Sequence, residues 1–247
     1  TMTSEFIGGL LPGVYFFRKN DSLLHFVKPV FDRRVFLKTC TNGSSELMTN
    51  LSMSLVNALY NLQLMKIAGE NGVAAYGAVM YVNFIFVATF LGYAIGCAPV
   101  ISYHYGAGNH AELKNLYKKS MSIILVWGVI LFGAAQLLAP VLSKIFVGYN
   151  TGLYAMTLHG FRVYAIAFLI IGINIFGSSF FTALNNGLIS AVISFLRTLV
   201  FQVIMVLTLP LWFGINGIWS AISIAEALTL IMTTTFFVRQ KDKYHYL

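Results

Sequence analysis

Long apolar runs separated by short polar breaks dominate the hydropathy pattern of the chain. An α-helix needs about 20 apolar residues to cross the hydrocarbon core of a bilayer. Glycine, asparagine and proline mark most of the breaks, as they do in turns between helices. The pattern therefore predicts an all-α integral membrane protein built as a bundle of six transmembrane helices. The predicted spans are Ser44–Met65, Val73–Ser102, Met121–Val141, Phe161–Leu184, Leu188–Leu209 and Phe213–Val238.

A shorter apolar stretch, Phe6–Phe17, precedes these spans and is too short to cross a membrane by itself. No basic segment precedes it and no small-residue cleavage site follows it, which argues against a signal peptide. Because the chain also begins with Thr1 rather than Met, we expect residues 1–17 to be the end of a transmembrane helix that starts upstream. Residues 18–43 would then form a basic linker, 44–238 the six-helix lobe, and 239–247 a tail.

The composition agrees with a membrane protein and argues against a soluble domain. Hydrophobic residues make up 58% of the chain, charged residues 10%, and the mean hydropathy is +0.77. A soluble domain carries about 25% charged residues, so this chain lacks the polar surface to face water. Cys40 and Cys97 lie far apart, and no His, Cys, Asp and Glu residues have metal-ligand spacing, so the sequence predicts no disulfide framework and no metal site.

The positive charges lie almost entirely on one side of the predicted membrane. If the chain crosses alternately, the basic segments 18–38, 114–119 and 239–243 share a side, which identifies that side as cytoplasmic. We therefore expect a multi-pass protein of the cell membrane with a cytoplasmic C-terminus. This asymmetry also accounts for the net charge of +8 without a nucleic-acid partner. The bilayer itself is the expected partner.

Polar residues recur along the first span at steps of four, four, three and four, which places them on one face of a helix. Such a stripe either makes hydrogen bonds to neighbouring helices or lines a water-filled cavity. Because the stripe runs the whole length of the span, we favour the cavity. Its members are Glu46, Asn50, Ser54, Asn57 and Asn61.

Three later spans carry shorter polar faces. Several helices that each offer a polar face predict a central polar space, as a transporter or a channel needs. We expect Asn174, Ser178, Thr182 and Gln202 to line this space together with the stripe of the first span. The three faces are Asn174, Ser178, Thr182 and Asn185; Ser190, Ser194, Arg197, Thr198 and Gln202; and Ser220, Ser223, Glu226, Thr229 and Thr233.

One acid, Glu226, lies near the middle of the last predicted span. A lone carboxylate at this depth is costly unless it is paired or protonated. Because burial favours the neutral acid, such a group can exchange a proton or bind a cation. It can also be a structural anchor that bonds to a neighbouring helix as the neutral acid, and the sequence leaves both interpretations open.

Two other charged residues in the spans have simpler explanations. Glu46 lies in the first turn of its span, after Asn42-Gly43-Ser44, where the helix dipole alone favours an acid. Arg197 lies towards the cytoplasmic side of the fifth span, where its side chain could reach the membrane interface. The sequence therefore indicates an interfacial anchor at Arg197.

The sequence carries no enzyme signature. His104 lacks a neighbouring acid, no serine lies in a GxSxG elbow, and Tyr105-Gly106-Ala107-Gly108 lacks the Lys of a phosphate-binding loop. We predict a protein that is not an enzyme, has no cofactor and does not use ATP.

Four segments resemble the multidrug and toxic compound extrusion (MATE) transporters, in the MepA/DinF-like branch. The first is Gly92-Tyr-Ala-Ile-Gly96-Cys-Ala-Pro99, which runs into Tyr103-His-Tyr-Gly106-Ala-Gly108-Asn109. The second is Ser178-Ser-Phe-Phe-Thr182-Ala-Leu-Asn-Asn-Gly187, which is followed by Arg197, and the third is Phe213-Gly-Ile-Asn-Gly217-Ile-Trp219. The fourth, Asn42–Asn57, is similar to the seventh helix of the family. The resemblance covers nearly the whole chain in the expected order.

The resemblance implies a twelve-helix fold of two six-helix lobes, of which this chain is the C-terminal one. It implies export of cationic or amphipathic drugs and toxins, driven by H⁺ or Na⁺, with Glu226 and Glu46 as candidate coupling acids. Some members carry an acid where this chain has Leu51-Ser-Met-Ser54, so that site does not transfer. One lobe cannot form the cleft between two, so transport requires the missing N-terminal lobe as a partner. The residues that the family motif assigns to structure are Gly92, Gly96, Pro99, Gly106, Arg197 and Gly217.

Three alternatives stay open at this point. The first is a flippase for lipid-linked sugars on the same two-lobe plan, which a cavity rich in Arg and Lys would favour. The second is a membrane enzyme, which would need an acid/base pair at one membrane face. The third is a truncated fragment that does not transport.

Overall fold

A computed structural model of the chain describes residues 6–10, 14, 28 and 31–246, apart from the side chains of residues 42, 44–46, 48 and 49. It divides into two compact units, Thr1–Leu37 and Lys38–Leu247. In the first unit, residues 6–10 and 14 are helical. Most of the predicted helix end at 1–17 and of the linker at 18–43 lies outside the described residues, so this division of the chain stays a prediction.

Helices account for the regular structure throughout the described residues, in agreement with the predicted fold class. Their helical hydrogen bonds satisfy the backbone internally, as hydrocarbon requires. The helices are α1 (Arg33–Gly106), α2 (His110–Val147), α3 (Thr151–Ala165), α4 (Phe168–Ala183), α5 (Gly187–Phe195), a π-helical segment (Leu196–Phe201) and α6 (Gln202–Tyr244).

Helix α1 reverses its direction at Gly69 and so contains two membrane spans. Gly69 has φ 62° and ψ −154°, a positive-φ conformation that glycine adopts more easily than other residues. On either side of it, the Tyr76 hydroxyl donates to Asn57 Oδ1 at 3.1 Å, and the Tyr60 and Tyr76 rings stack at 4.9 Å. Nineteen residues of straight helix would separate Asn57 and Tyr76 by about 28 Å. The two segments therefore pack side by side as a hairpin.

Helix α6 contains a second reversal, at Gly214, which has φ 56°. Beyond this turn the chain returns so closely that a Cβ atom on Gly217 would collide with the Leu209 carbonyl oxygen and lie 2.8 Å from the Pro210 nitrogen. Only glycine permits this approach without a backbone shift. The segment before Gly214 belongs to the fifth span, and the segment after it is the sixth.

The two reversals bring the number of spans in the described residues to six. Three helical segments are long and apolar enough to cross a membrane: Asn50–Gly106, His110–Val147 and Gly187–Tyr244. The first and the third each contain one of the reversals and count twice. Helices α3 and α4, bent by 49°, together form one more span. The predicted six-helix membrane bundle is confirmed.

The helices extend further than the apolar runs do at both ends of the bundle. Helix α1 begins at Arg33, ahead of the predicted start at Ser44, where the Asp32 carboxylate accepts from the Arg34 backbone N–H at 2.8 Å. Helix α6 continues to Tyr244, beyond the predicted end at Val238. Hydropathy marks the part of a helix that lies in lipid, whereas the helix itself ends where its backbone is capped.

The core of the bundle centres on α4, which packs against α2, α5 and α6. Its rings Phe168, Phe176, Phe180 and Phe181 are all fully buried. At the C-terminus, Tyr246 is also fully buried, with its ring centre 5.0 Å from that of Phe180, and burial raises the pKa of its phenol. The last residues of the chain thus close one end of the bundle.

Candidate functional site

An ion pair between Glu226 and Arg197 lies inside the bundle, between the last and the fifth spans. Arg197 Nε lies 2.8 Å from Glu226 Oε1 and 3.1 Å from Oε2. The Asn174 side-chain amide, from α4, donates to Glu226 Oε2 at 2.7 Å and to the Glu226 backbone carbonyl at 3.0 Å. Three different spans therefore meet at this one carboxylate.

Burial makes the pairing of these charges necessary. The Glu226 side chain is 1% exposed, and that of Arg197 is 14% exposed. A charge removed from water is tolerated when an opposite charge and hydrogen bonds replace the lost solvation. The two charges compensate each other, so the net charge of the pair is close to zero. Of the two side chains, only that of Arg197 is partly accessible.

Unused polar atoms lie around the ion pair. Asn174 Oδ1 and the Tyr60 hydroxyl are buried without a hydrogen-bond partner among the described residues. The Tyr60 and Tyr164 phenols, from the first and fourth spans, lie within electrostatic range of Glu226. Groups from four of the six spans, the first, fourth, fifth and sixth, thus surround the carboxylate.

The π-helical segment Leu196–Phe201 holds Arg197 at its beginning. Such a segment inserts a wider turn into an α-helix and is frequent at functional sites. The residues before it, in α5, and those after it, in α6, form one continuous span.

A cluster of four hydroxyl groups joins α4 to α5 next to the ion pair; we call it the hydroxyl ladder. Ser178 Oγ lies 2.8 Å from Ser194 Oγ and 2.9 Å from Ser190 Oγ. Ser190 Oγ in turn lies 2.6 Å from Thr182 Oγ1. Ser190 and Ser194 are buried, while Ser178 and Thr182 are half-buried. The ladder consists of Ser178, Thr182, Ser190 and Ser194.

The polar stripe of the first span faces away from the core of the bundle. Asn50, Ser54, Asn57 and Asn61 are all exposed, although Asn57 accepts the hydrogen bond from Tyr76. The side chain of Glu46, the fifth member of the stripe, lies outside the described residues. The stripe is therefore placed to meet something outside this bundle.

The remaining predicted lining residues do not form a single open space with this stripe. Asn174 is fully buried and hydrogen-bonded, and Gln202 is half-buried in α6. A cavity of about 260 Å³ lies elsewhere, between the second and third spans, and none of the predicted lining residues borders it. Its lining residues are Thr89, Phe90, Tyr93, Ile123, Ile124 and Trp127.

The family-motif residues fall into two groups. Gly92, Gly96 and Gly106 are exposed, with open space where a Cβ atom would project, and Pro99 lies within α1. Gly217 is buried at the closest point of the second hairpin. Only Gly217 has a packing reason within this bundle to be glycine.

The sequence interpretation of Arg197 as an interfacial anchor was wrong. Its guanidinium group turns inward to Glu226, whose buried carboxylate would otherwise lack a counter-charge. An acid and a base that both lie within neighbouring membrane spans are a signal that could have indicated the pair. Tyr60 and Tyr164 had no such signal, since a buried tyrosine also serves as ordinary core.

Within the described residues, no three His, Cys, Asp or Glu side chains cluster in a way that could hold a metal ion. The interactions that the described atoms of the site make are charge pairing and hydrogen bonding.

Solved MATE transporters share this fold. An outward-facing multidrug resistance MATE family transporter of the MOP superfamily is 21% identical, with a TM-score of 0.88 over 100% of this chain and 56% of that one. A MATE protein in its straight conformation is 19% identical, with a TM-score of 0.89 and the same two coverages. A MOP superfamily transporter from Pyrococcus furiosus, described as having a binding pocket of reverse polarity, is 20% identical with a TM-score of 0.88, over 99% of this chain and 56% of that one.

This chain thus spans just over half the length of the solved transporters that it matches. No curated protein sequence matches it significantly. The sequence model of the MatE family matches residues 47–208, which is more than half of the chain and includes five of its six spans in whole or in large part. The chain therefore belongs to the MatE family of membrane transporters.

Proposed function

We propose that this chain forms one lobe of an ion-coupled antiporter that exports cationic or amphipathic drugs and toxins across the cell membrane. The observation that carries the proposal is the buried Glu226 carboxylate, held by Arg197 and Asn174 where three spans meet. In this proposal a second lobe lies opposite the first, and the C-terminus faces the cytoplasm.

Coupling in this proposal follows from a change of charge at Glu226. Protonation removes the negative charge that compensates Arg197, and a lone guanidinium group is costly in a medium of low dielectric constant. The fifth span, which carries Arg197, then gains by moving relative to α4 and the last span. A proton that binds one arrangement of the spans more tightly than another shifts the population between them.

Of the two possible coupling ions, the proton has a lower electrostatic cost of binding at this site than Na⁺. Both carboxylate oxygens already contact Arg197 Nε, at 2.8 and 3.1 Å. A sodium ion on the same oxygens would lie beside the guanidinium group, and two like charges 4 Å apart repel by about 4 kcal/mol at an effective dielectric constant of 20. A proton needs no separate site because it bonds to one oxygen.

The exposed stripe on the first span supports a substrate surface that is polar but uncharged. Asn50, Ser54 and Asn61 share one exposed face of the helix, and exposed leucines such as Leu51 and Leu62 lie on the face beside it. An amphipathic molecule could bind this mixed surface with its apolar part on the leucines and its polar groups on the amides.

Efflux of ethidium, a cationic dye, tests this proposal in cells that express the complete native reading frame. The Glu226→Gln variant should lose proton-driven efflux, because glutamine keeps the shape of the side chain but cannot change its charge. Glu70→Gln, which alters an exposed acid beside the first reversal, is the matched control and should retain efflux. Replacing external Na⁺ by choline should leave efflux unchanged, whereas dissipating the proton gradient should stop it.

Efflux and proton coupling that persist in Glu226→Gln would remove this carboxylate from the mechanism. Efflux that requires a Na⁺ gradient would replace the proton by sodium. Movement of a lipid-linked sugar in place of ethidium would favour the flippase on the same fold.

A further inference from the structure

We infer that the hydroxyl ladder is the route by which a proton travels between Glu226 and the end of the bundle at which the chain terminates; this inference rests on the proposed proton coupling at Glu226. The carboxylate is buried, and Asn174, which contacts it, precedes Thr182 by about 12 Å of helix. A proton that reaches so deep a group needs a chain of hydrogen bonds to carry it.

The ladder forms such a chain through three successive hydroxyl contacts. The oxygen atoms are separated by 2.6 Å between Thr182 and Ser190, 2.9 Å between Ser190 and Ser178, and 2.8 Å between Ser178 and Ser194. These distances are those of well-formed O–H···O bonds. In each of the three contacts either oxygen atom can be the donor, so the whole chain can reverse its polarity.

The inner end of the ladder lies one helical turn from the ion pair. Ser178 follows Asn174 by four residues on α4, and Ser194 precedes Arg197 by three residues on the fifth span. Residues at these spacings are neighbours on a helix surface, with Cβ atoms about 5–6 Å apart. Asn174 and Arg197 both contact the carboxylate, and the inferred route includes one water molecule between the ladder and the carboxylate.

The outer end of the ladder lies at the turn between α4 and α5. Thr182 is the last residue but one of α4, and Ser190 lies in the first turn of α5. In this turn Asn185 is exposed, and the Asn186 amide donates to the Tyr244 hydroxyl at 2.9 Å. Thr182 is itself half-buried, so water can reach the outer end.

Two phenols, Tyr60 and Tyr164, lie within electrostatic range of Glu226. The Tyr60 hydroxyl is buried without a hydrogen-bond partner among the described residues, so Tyr60 does not offer an equivalent route. Arg197 stays protonated and serves only as the counter-charge.

The transfer leaves the number of O–H bonds in the ladder unchanged. A proton from water adds to the Thr182 oxygen while the Thr182 hydroxyl proton passes to Ser190, and each following hydroxyl accepts one proton and releases its own. The proton released from Ser194 crosses the bridging water to a Glu226 oxygen. The net change is one proton moved inward and a reversed set of hydroxyl dipoles, which rotation of the hydroxyl groups restores.

Infrared difference spectroscopy after a rapid acid jump measures this transfer on the protein from its complete native reading frame, reconstituted in lipid vesicles. The carboxylic C=O stretching band reports protonation of Glu226, and Glu226→Gln identifies the band by removing it. The double variant Ser178→Ala/Ser190→Ala should keep the amplitude of the band but slow its rise by about tenfold or more, as loss of a positioned proton-transfer group does. The single variant Ser178→Thr, which retains every hydroxyl group of the ladder, should keep the parental rate.

Matched controls separate proton transfer from helix packing. Thr208→Ala removes the hydroxyl of a half-buried residue that bonds to the Ile204 carbonyl within its own helix, and it should leave the rate unchanged. If the double variant fails to fold, Ser194→Ala breaks only the contact nearest to the ion pair and should slow the band in the same way.

Three outcomes would overturn the inference. A double variant that is correctly folded and protonates Glu226 at the parental rate shows that the ladder only joins two helices. Equal slowing by Thr208→Ala shows that the loss of any hydroxyl in the bundle has this effect. A parent protein without a band that Glu226→Gln removes would refute the coupling role of Glu226 and with it the ladder, whereas parental kinetics in the double variant refute the ladder alone.

Discussion

Breaking the ion pair from either side should destabilise the bundle, but by unequal amounts. Arg197→Gln leaves a carboxylate that is 1% exposed without its counter-charge, which for a buried pair costs about 3–5 kcal/mol. Glu226→Gln leaves a guanidinium group on a side chain that is 14% exposed and can turn towards water. Its cost should be nearer to that of an unsatisfied hydrogen-bonding group, about 1–3 kcal/mol. Arg197→Gln should therefore be the more damaging change.

The double variant Arg197→Gln/Glu226→Gln should be more stable than the sum of the single effects predicts. Neither glutamine carries a charge, and the two amides can bond to each other and to Asn174. We expect a coupling energy of roughly 2–3 kcal/mol, as for residues in direct contact. Thermal unfolding of the purified protein in detergent measures it, because 1 kcal/mol corresponds to about 2–4 °C for a chain of this size.

The matched control for this cycle is Arg162→Gln, since Arg162 is exposed in the last turn of α3. It should change the free energy of unfolding by no more than about 0.5 kcal/mol. If the effects of Arg197→Gln and Glu226→Gln simply add, the two charges do not stabilise each other and the account of the site given above fails.

Three further substitutions test the hairpin, the closed end and the exposed stripe. Gly217→Ala places a Cβ atom against the Leu209 carbonyl and should lower stability by about 1–3 kcal/mol in the same thermal assay; an unchanged melting temperature contradicts the close approach. Tyr246→Ala removes a fully buried ring and should cost about 3 kcal/mol, measured as a fall in melting temperature of several degrees. Ser54 and Leu55 are both exposed, and Ser54→Cys and Leu55→Cys should differ in their reaction with a charged thiol reagent, measured in membranes on a protein without other cysteines. If the stripe faces water, the reagent should modify only the cysteine at position 54. Equal protection of both cysteines would place the stripe in lipid.

Hydropathy and helical periodicity predicted the six spans, and the structure explains why they could. Each span is a predominantly apolar run that is longer and more apolar than a soluble helix needs, and Gly69 and Gly214 mark reversals between runs. The ends of the helices were less predictable, because α1 and α6 continue through polar residues that hydropathy assigns to a linker and a tail. The sequence therefore locates the part of each helix that lies in lipid better than it locates the whole helix.

The direction that each polar face takes could not be predicted. Thr229 and Thr233 on the last span are fully buried, whereas Ser54 and Asn61 on the first span are exposed, although both sets recur at helical spacing. Periodicity places residues on one face of a helix but carries no information on what that face meets. The prediction of one shared polar space therefore grouped buried polar residues of the later spans with the exposed polar residues of the first span.

The pairing of Glu226 with Arg197 changes the role that a buried acid can have in this bundle. A lone carboxylate would be an open binding site for a cation, but here a tethered cation already occupies that position, and its side chain alone reaches accessible surface. In the proposed mechanism, a proton that neutralises Glu226 therefore does more than fill a site, since it frees a positive charge carried by a neighbouring span. Because Asn174, Arg197 and Glu226 come from three different spans, the free energy of one protonation would act on the packing of all three. The contact that stabilises this arrangement of the lobe would then also provide the physical means of changing to the second arrangement that the proposal requires.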